Sequence, residues 1–117
     1  MHELALMAEL QRLAEEQAQR HGAQRIHRLR LRLGALAGVD AAALRQAFAV
    51  LVAIGSGNAL WHAAQLELEP VPARCFCPTC RQPFTPCDRI QACPRCGRLT
   101  DRVLAGRELE LVSLELS

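Results

Sequence analysis

The chain has 117 residues and a formal net charge of +2; 50% of it is hydrophobic, only 3% aromatic, and it has no tyrosine. That is room for one modest core and a small appendage, built mainly from Leu, Ala and Val. All 14 basic residues are arginine and no two are adjacent, which is not the dense basic stripe that displaces phosphate counterions, so composition makes no case for a nucleic-acid partner.

Residues 4–20 read as an amphipathic helix. Leu6, Leu10 and Leu13 recur at helical spacing with Met7 and Ala14 beside them, and Gly22 is a natural stop. Residues 25–33 switch to period two, with Leu29, Leu31 and Leu33 alternating with Arg28, Arg30 and Arg32. This predicts a half-buried strand with its arginine face in water. After a turn over residues 34–38, Asp40 is placed to cap a second helix reaching about Ile54, with Leu44, Ala47, Phe48, Leu51 and Val52 on one side. Residues 55–58, Gly-Ser-Gly-Asn, are expected to end it. A second strand is predicted at 64–69, closed by Pro70 and Pro72. A third, over 108–116, carries Leu109 and Leu111, then Val112, Leu114 and Leu116; the change of parity points to a bulge or a two-sided strand. No segment approaches the roughly 18 apolar residues of a membrane span, and the opening Met-His-Glu lacks the basic start of an export signal. The expectation is a cytoplasmic protein with no membrane partner.

Residues 73–99 differ in kind, being cysteine-rich and proline-punctuated with few aliphatic side chains. Six cysteines crowd into 75–96, and in a reducing compartment that pattern favours metal over disulfides. Cys77-Pro78-Thr79-Cys80 and Cys93-Pro94-Arg95-Cys96 are separated by twelve residues. Each pair forms a tight turn that turns two sulfurs toward one cation, and four thiolates complete the tetrahedron that zinc prefers. Gly97 allows the positive φ that such a knuckle needs. A closed site of four cysteines has no open position for a substrate, so it speaks for a structural rather than a catalytic zinc. An iron–sulfur cluster or a dithiol redox pair fits less well, the latter because no helix follows the first CxxC. Cys75 and Cys87 are left over and read as free thiols.

The amino terminus offers a second metal site. The Met1 amine, the His2 backbone nitrogen and the His2 imidazole can wrap one ion in fused five- and six-membered rings. A deprotonated amide is a strong-field donor suited to square-planar Ni(II) or Cu(II). Glu3 can add an oxygen donor or accept a proton. The plainer reading is that His2 and Glu3 are exposed residues at a helix start, Glu3 being favourable near the helix dipole. His21, His27 and His62 read as structural or exposed.

The expected class is α/β: two helices packed on a small three-stranded sheet, with an inserted zinc-ribbon-like domain. Residues 1–72 and 100–117 form an α/β nickel-binding domain and 73–99 a zinc-binding domain. Over nearly its full length the chain resembles the HypA/HybF family of hydrogenase nickel-incorporation proteins. The resemblance rests on Met1-His2-Glu3, Leu31-Arg32-Leu33-Gly34, Cys77-x-x-Cys80 with Cys93-Pro94-x-Cys96-Gly97, Gly106-Arg107-Glu108-Leu109, and Ser113-Leu114-Glu115, in that order. It implies a metallochaperone, not an enzyme, that carries Ni(2+) as cargo to the precursor of a NiFe-hydrogenase large subunit. His2 is then the principal nickel ligand, Met1 and Glu3 participate, and Cys77, Cys80, Cys93 and Cys96 hold structural Zn(2+). The implied partners are the GTPase HypB, the large-subunit precursor and urease maturation proteins. Cys75, Cys87 and the stretch 58–63 with Trp61 and His62 depart from the family pattern. The alternative is a zinc-ribbon interaction module without nickel delivery, with nucleic acid as one candidate partner; a thiol oxidoreductase is the more distant one.

Overall fold

The computed structural model describes residues 2–54, 59–87 and 90–117. In chain order they form α1 (His2–Arg20), β1 (Ile26–Gly34), α2 (Ala41–Ile54), a 3-10 turn (Ala59–Trp61), β2 (Gln65–Val71), β3 (Arg74–Cys77), β4 (Gln82–Phe84), β5 (Val103–Ala105) and β6 (Leu109–Leu116). Two three-stranded sheets result, with strand orders β2-β1-β6 and β4-β3-β5. The first is the predicted small sheet with two helices. The second leaves no signal in the sequence, because its strands are three or four residues long and carry no period-two run. No helix among the described residues is long and apolar enough to cross a membrane.

The chain divides into two compact units: Met1–Leu31 with Val39–Glu69 and Glu110–Ser117, and Arg32–Gly38 with Pro70–Leu109. Beyond the expected 73–99, the second unit takes in 32–38, 70–72 and 100–109.

In the first unit the buried face of α1 is Met7, Leu10, Gln11, Ala14 and Ala18, while the expected Leu13 remains 38% exposed. Spacings of three and four place these residues on one stripe. On α2 the buried residues are Leu44, Ala47 and Phe48. Asp40 caps that helix as its sequence position predicts, its Oδ1 accepting from the Ala42 N–H at 3.3 Å. Residues 55–58, expected to end α2, lie outside the described residues. Just after them, Trp61 closes the core: its ring meets Phe48 edge to face at 6.0 Å, and its indole N–H donates to Glu15 Oε1 at 3.1 Å.

Strand β1 buries Ile26, Leu29, Leu31 and Leu33. Its arginine face is paired: Arg28 and Arg30 both reach Glu67, at 3.3 and 2.9 Å, and Arg28 lies 3.7 Å from Glu115. Pro70 does not close β2, which runs on to Val71. The strand lies at the sheet's edge, where a residue without an N–H is tolerated on the solvent side.

In the second unit Gly34 and Gly106 meet backbone to backbone. A Cβ on Gly34 would fall on the Gly106 carbonyl, and one on Gly106 (φ +117) would lie 2.8 Å from the Ala73 Cα. That approach lets Leu36 N–H donate to Gly106 O at 2.6 Å and Gly34 N–H to Glu108 O at 2.7 Å.

Candidate metal centre

Among the described residues the second unit has little aliphatic core, its buried aliphatic side chains being Leu33 and Ala73. Its buried cluster is Cys75, Cys77, Phe84 and Cys93, with Leu36, Cys80 and Val103 packed against it. Strand β3 delivers Cys75 and Cys77 to one face, two residues apart, and pairs Cys75 with Phe84 and Cys77 with Gln82.

From Cys77 the chain enters the first knuckle. The Cys80 N–H points at Cys77 Sγ (3.4 Å), and the Arg81 N–H closes on Cys77 O (2.7 Å). The second knuckle repeats that closure, with Gly97 N–H on Cys93 O at 2.8 Å. The residue after each knuckle is left-handed: Arg81 at φ 54 and Gly97 at φ 74. Gly97 is legible as such in the sequence; Arg81 is not, because arginine carries no signal for that conformation.

Side chains tie the knuckles together: Arg95 donates to Gln82 Oε1 and Arg98 to Thr79 Oγ1, both at 2.8 Å. The ligand atoms of Cys77, Cys80, Cys93 and Cys96 all lie within 4.8 Å of one another. Within that set the sulfurs of Cys77 and Cys96 are 3.6 Å apart, and those of Cys93 and Cys80 are 3.9 Å apart. A tetrahedron with metal–sulfur bonds of about 2.3 Å has sulfurs about 3.8 Å apart, so the four residues fit a zinc-sized ion.

The electrostatics favour the same occupant. The backbone N–H of Cys96 pulls the Cys93 thiol down to about 7 despite desolvation, whereas the hydrogen bond with the Cys96 sulfur, aided by desolvation, pushes Cys80 up to about 12. Four sulfurs this close cannot all ionise against one another; a cation removes the repulsion and takes all four as thiolates.

Cys75 and Cys87 stand outside the set. Cys75 is fully buried in the adjoining core and Cys87 is exposed. Among the described residues these four cysteines are the only group of three or more His, Cys, Asp or Glu side chains placed to hold a metal ion.

At the other end of the chain, Met1 lies outside the described residues. His2 opens α1 with its side chain 63% exposed, and its Nδ1 is 4.0 Å from Glu3 Oε2. Glu3 is anchored: its Oε2 accepts from the Asp40 N–H at 3.3 Å. Backbone N–H groups, its own first and then that of Asp40, hold its carboxyl below the usual range. The other histidines do not gather here. His21 Nδ1 is 2.8 Å from Gln17 O, His27 Nε2 is 2.6 Å from Ser117 Oγ, and His62 serves through its backbone carbonyl, which accepts from Arg25.

Comparison with known proteins is decisive about kinship. The family model described as "Hydrogenase/urease nickel incorporation, metallochaperone, hypA" matches residues 1–116. The chain belongs to the HypA family.

Relatives named hydrogenase maturation factor HypA include one from Picosynechococcus sp., 42% identical over 116 residues and covering 99% of both chains, and one from Chloroflexus aggregans, 44% identical over 116 residues and covering 98% of both. The fold is shared with the solution structure of the Ni metallochaperone HypA from Helicobacter pylori, at a TM-score of 0.64 and 24% identity, over 97% of this chain and 96% of that one. HypA proteins are maturation factors, not catalysts, and act with the hydrogenase maturation machinery.

Proposed function

We propose that this HypA-family chain binds Ni(II) at its amino terminus and delivers it, in the cytoplasm, to the precursor of a NiFe-hydrogenase large subunit. The observation that carries the reading is the state of His2: an exposed imidazole on the first residue of α1, with an anchored carboxylate 4.0 Å from its Nδ1. The first N–H groups of a helix have no intrahelical acceptor. The His2 amide nitrogen can therefore give up its proton to a metal without breaking the helix. Nδ1 is the ring nitrogen that closes a six-membered chelate with that amide, and the Met1 amine closes the five-membered one. Glu3 participates as a fixed negative charge and a proton acceptor for the amide.

A site of few donors at the surface suits a cargo ion that must leave again. Zn(II) belongs at Cys77, Cys80, Cys93 and Cys96, where it shapes the second unit and does no chemistry. The partners that follow from this reading are HypB, the large-subunit precursor and, where a urease is served, its maturation proteins.

The test is a nickel titration of untagged protein, of His2→Ala, and of a form with residues added before Met1. Tight binding by the first alone is expected. Equal binding by all three would move nickel away from the amino terminus.

A further inference from the structure

Charge is shared unevenly between the two units. The first holds six arginines and nine acidic residues; the second holds eight arginines and three acidic residues. One Zn(II) on four thiolates carries two negative charges, which still leaves the second unit positive. Pairing differs as well. In the first unit Arg12, Arg20, Arg28 and Arg30 all meet glutamates. In the second, Arg74, Arg81, Arg95, Arg98, Arg102 and Arg107 are exposed, and among the described residues none of them stands in an ion pair. Arg95 and Arg98 are held by the neutral Gln82 and Thr79.

Two of these arginines share a face with apolar side chains, and a third borders it. Cys75 and Cys77 turn into the buried cluster, so Arg74 and Phe76 point to the opposite, outer face of the β4-β3-β5 sheet. Pro83, opposite Phe76 on β4, lies on that face and is exposed. Val103 packs against the cluster, so its neighbours Arg102 and Leu104 face out, with Leu104 56% exposed. The Arg102 guanidinium lies 4.8 Å over the Phe76 ring. Its backbone is fixed there: Arg102 O accepts from the Phe76 N–H at 2.9 Å, and Arg102 N–H donates to Thr100 Oγ1 at 3.1 Å. Arg107 adjoins Leu104 in one shallow hollow.

We infer that this outer face docks an acidic protein segment, whose carboxylates meet Arg74, Arg102 and Arg107 around an apolar side chain seated at Leu104. Charge complementarity selects an anionic partner, because these arginines have no carboxylate of their own chain to satisfy them. The apolar centre selects protein among the anions. An exposed leucine bordered by arginines has the composition of a protein–protein interface. A nucleic-acid strand needs a free aromatic face on which its bases can stack, and the Phe76 face is already covered by Arg102. The surface lies wholly on the second unit and does not depend on where nickel binds.

The probe is an extended synthetic peptide of glutamates interrupted by leucines, titrated into the untagged, zinc-loaded full chain. Fluorescence anisotropy should show saturable binding that weakens as salt rises, with amide shifts centred on residues 74, 76, 102, 104 and 107. Arg74→Glu with Arg107→Glu alters two exposed side chains and should weaken binding at least about ten-fold, with zinc stoichiometry and amide dispersion unchanged. Leu104→Ser, or serine for the leucines of the peptide, should weaken it about three-fold or more. Arg45→Glu, an exposed change on α2 of the first unit, should leave it unaltered. Absence of binding at millimolar peptide overturns the inference, as does an equal loss in Arg45→Glu. Indifference to the leucines would reduce the contact to unspecific charge and overturn it too. A single-stranded oligonucleotide of equal charge that binds more tightly than the peptide would assign the face to nucleic acid instead.

Discussion

Arg81 and Gly97 occupy equivalent places after the two knuckles, and both hold positive φ while closing a hydrogen bond on the first cysteine. For a residue with a Cβ that conformation costs on the order of 1–2 kcal/mol. Arg81→Gly should therefore stabilise the metal-loaded protein by about 1 kcal/mol, net of the added chain entropy, and Gly97→Ala should destabilise it by about as much. Thermal unfolding of the two variants reads both signs, and an unstable Arg81→Gly would mean that the arginine side chain contributes more than its backbone costs. The two cysteines outside the cluster separate in the same assay. Cys87 is exposed, so Cys87→Ser should change stability by less than about 0.5 kcal/mol. Cys75 is fully buried against Cys77, Phe84 and Cys93, so Cys75→Ser places a hydroxyl in an apolar core and should cost about 1–3 kcal/mol. Neither should change the metal content. Loss of metal in Cys75→Ser, with the fold retained, would make Cys75 a ligand.

Among the elements, the 3-10 turn that ends at Trp61 has no signature in the sequence, yet it joins α1 and α2 through Glu15 and Phe48. Trp61→Phe keeps a ring against Phe48 but removes the donor to Glu15, at a cost of about 1 kcal/mol. Trp61→Ala empties the site and should cost about 3–5 kcal/mol. If the two variants unfold alike in denaturant titrations, the ring contact contributes nothing beyond the hydrogen bond. The contrast with the rest of the first unit explains what was legible. Helices α1 and α2 and strand β1 are long enough for apolar spacing to declare both type and buried face, even though α1 buries Ala18 and leaves Leu13 partly in solvent. Strands β3, β4 and β5 are too short to show a period, and their pairing is held by the cysteine core. The two CxxC pairs were legible from spacing alone. The arginine and threonine side chains that tie them, Arg95 to Gln82 and Arg98 to Thr79, were not, since a cross-loop contact leaves no local pattern. The glycines at 34 and 106 belonged to motifs that carried the family resemblance, and their mutual approach supplies the physical reason for both. Gly34→Ala should therefore cost at least about 2 kcal/mol, as measured by equilibrium unfolding.

For the whole molecule, the two units differ in what holds them. The first buries Met7, Leu10, Ile26, Leu29, Leu31, Leu44, Phe48 and Trp61, a core that excludes water without help. In the second, the buried cluster is Cys75, Cys77, Phe84 and Cys93, and two of those four are also members of the four-sulfur centre. Metal removal thus takes away both the tie between the knuckles and the neutralisation of crowded thiolates, while the surrounding apolar area is too small to compensate. Chelation of the full chain should leave the helical circular-dichroism signal nearly intact and collapse the dispersed amide resonances of residues 70–109. Zinc should restore them with a stoichiometry of one. The pH dependence has a definite sign, because protons compete with the ion for sulfur: chelator-free metal loss should begin as pH falls, not as it rises. Retention of dispersed resonances at 70–109 without metal would show that Phe84, Leu36 and Val103 suffice to hold the unit, and the centre would then be a site carried by the fold instead of the reason the fold exists.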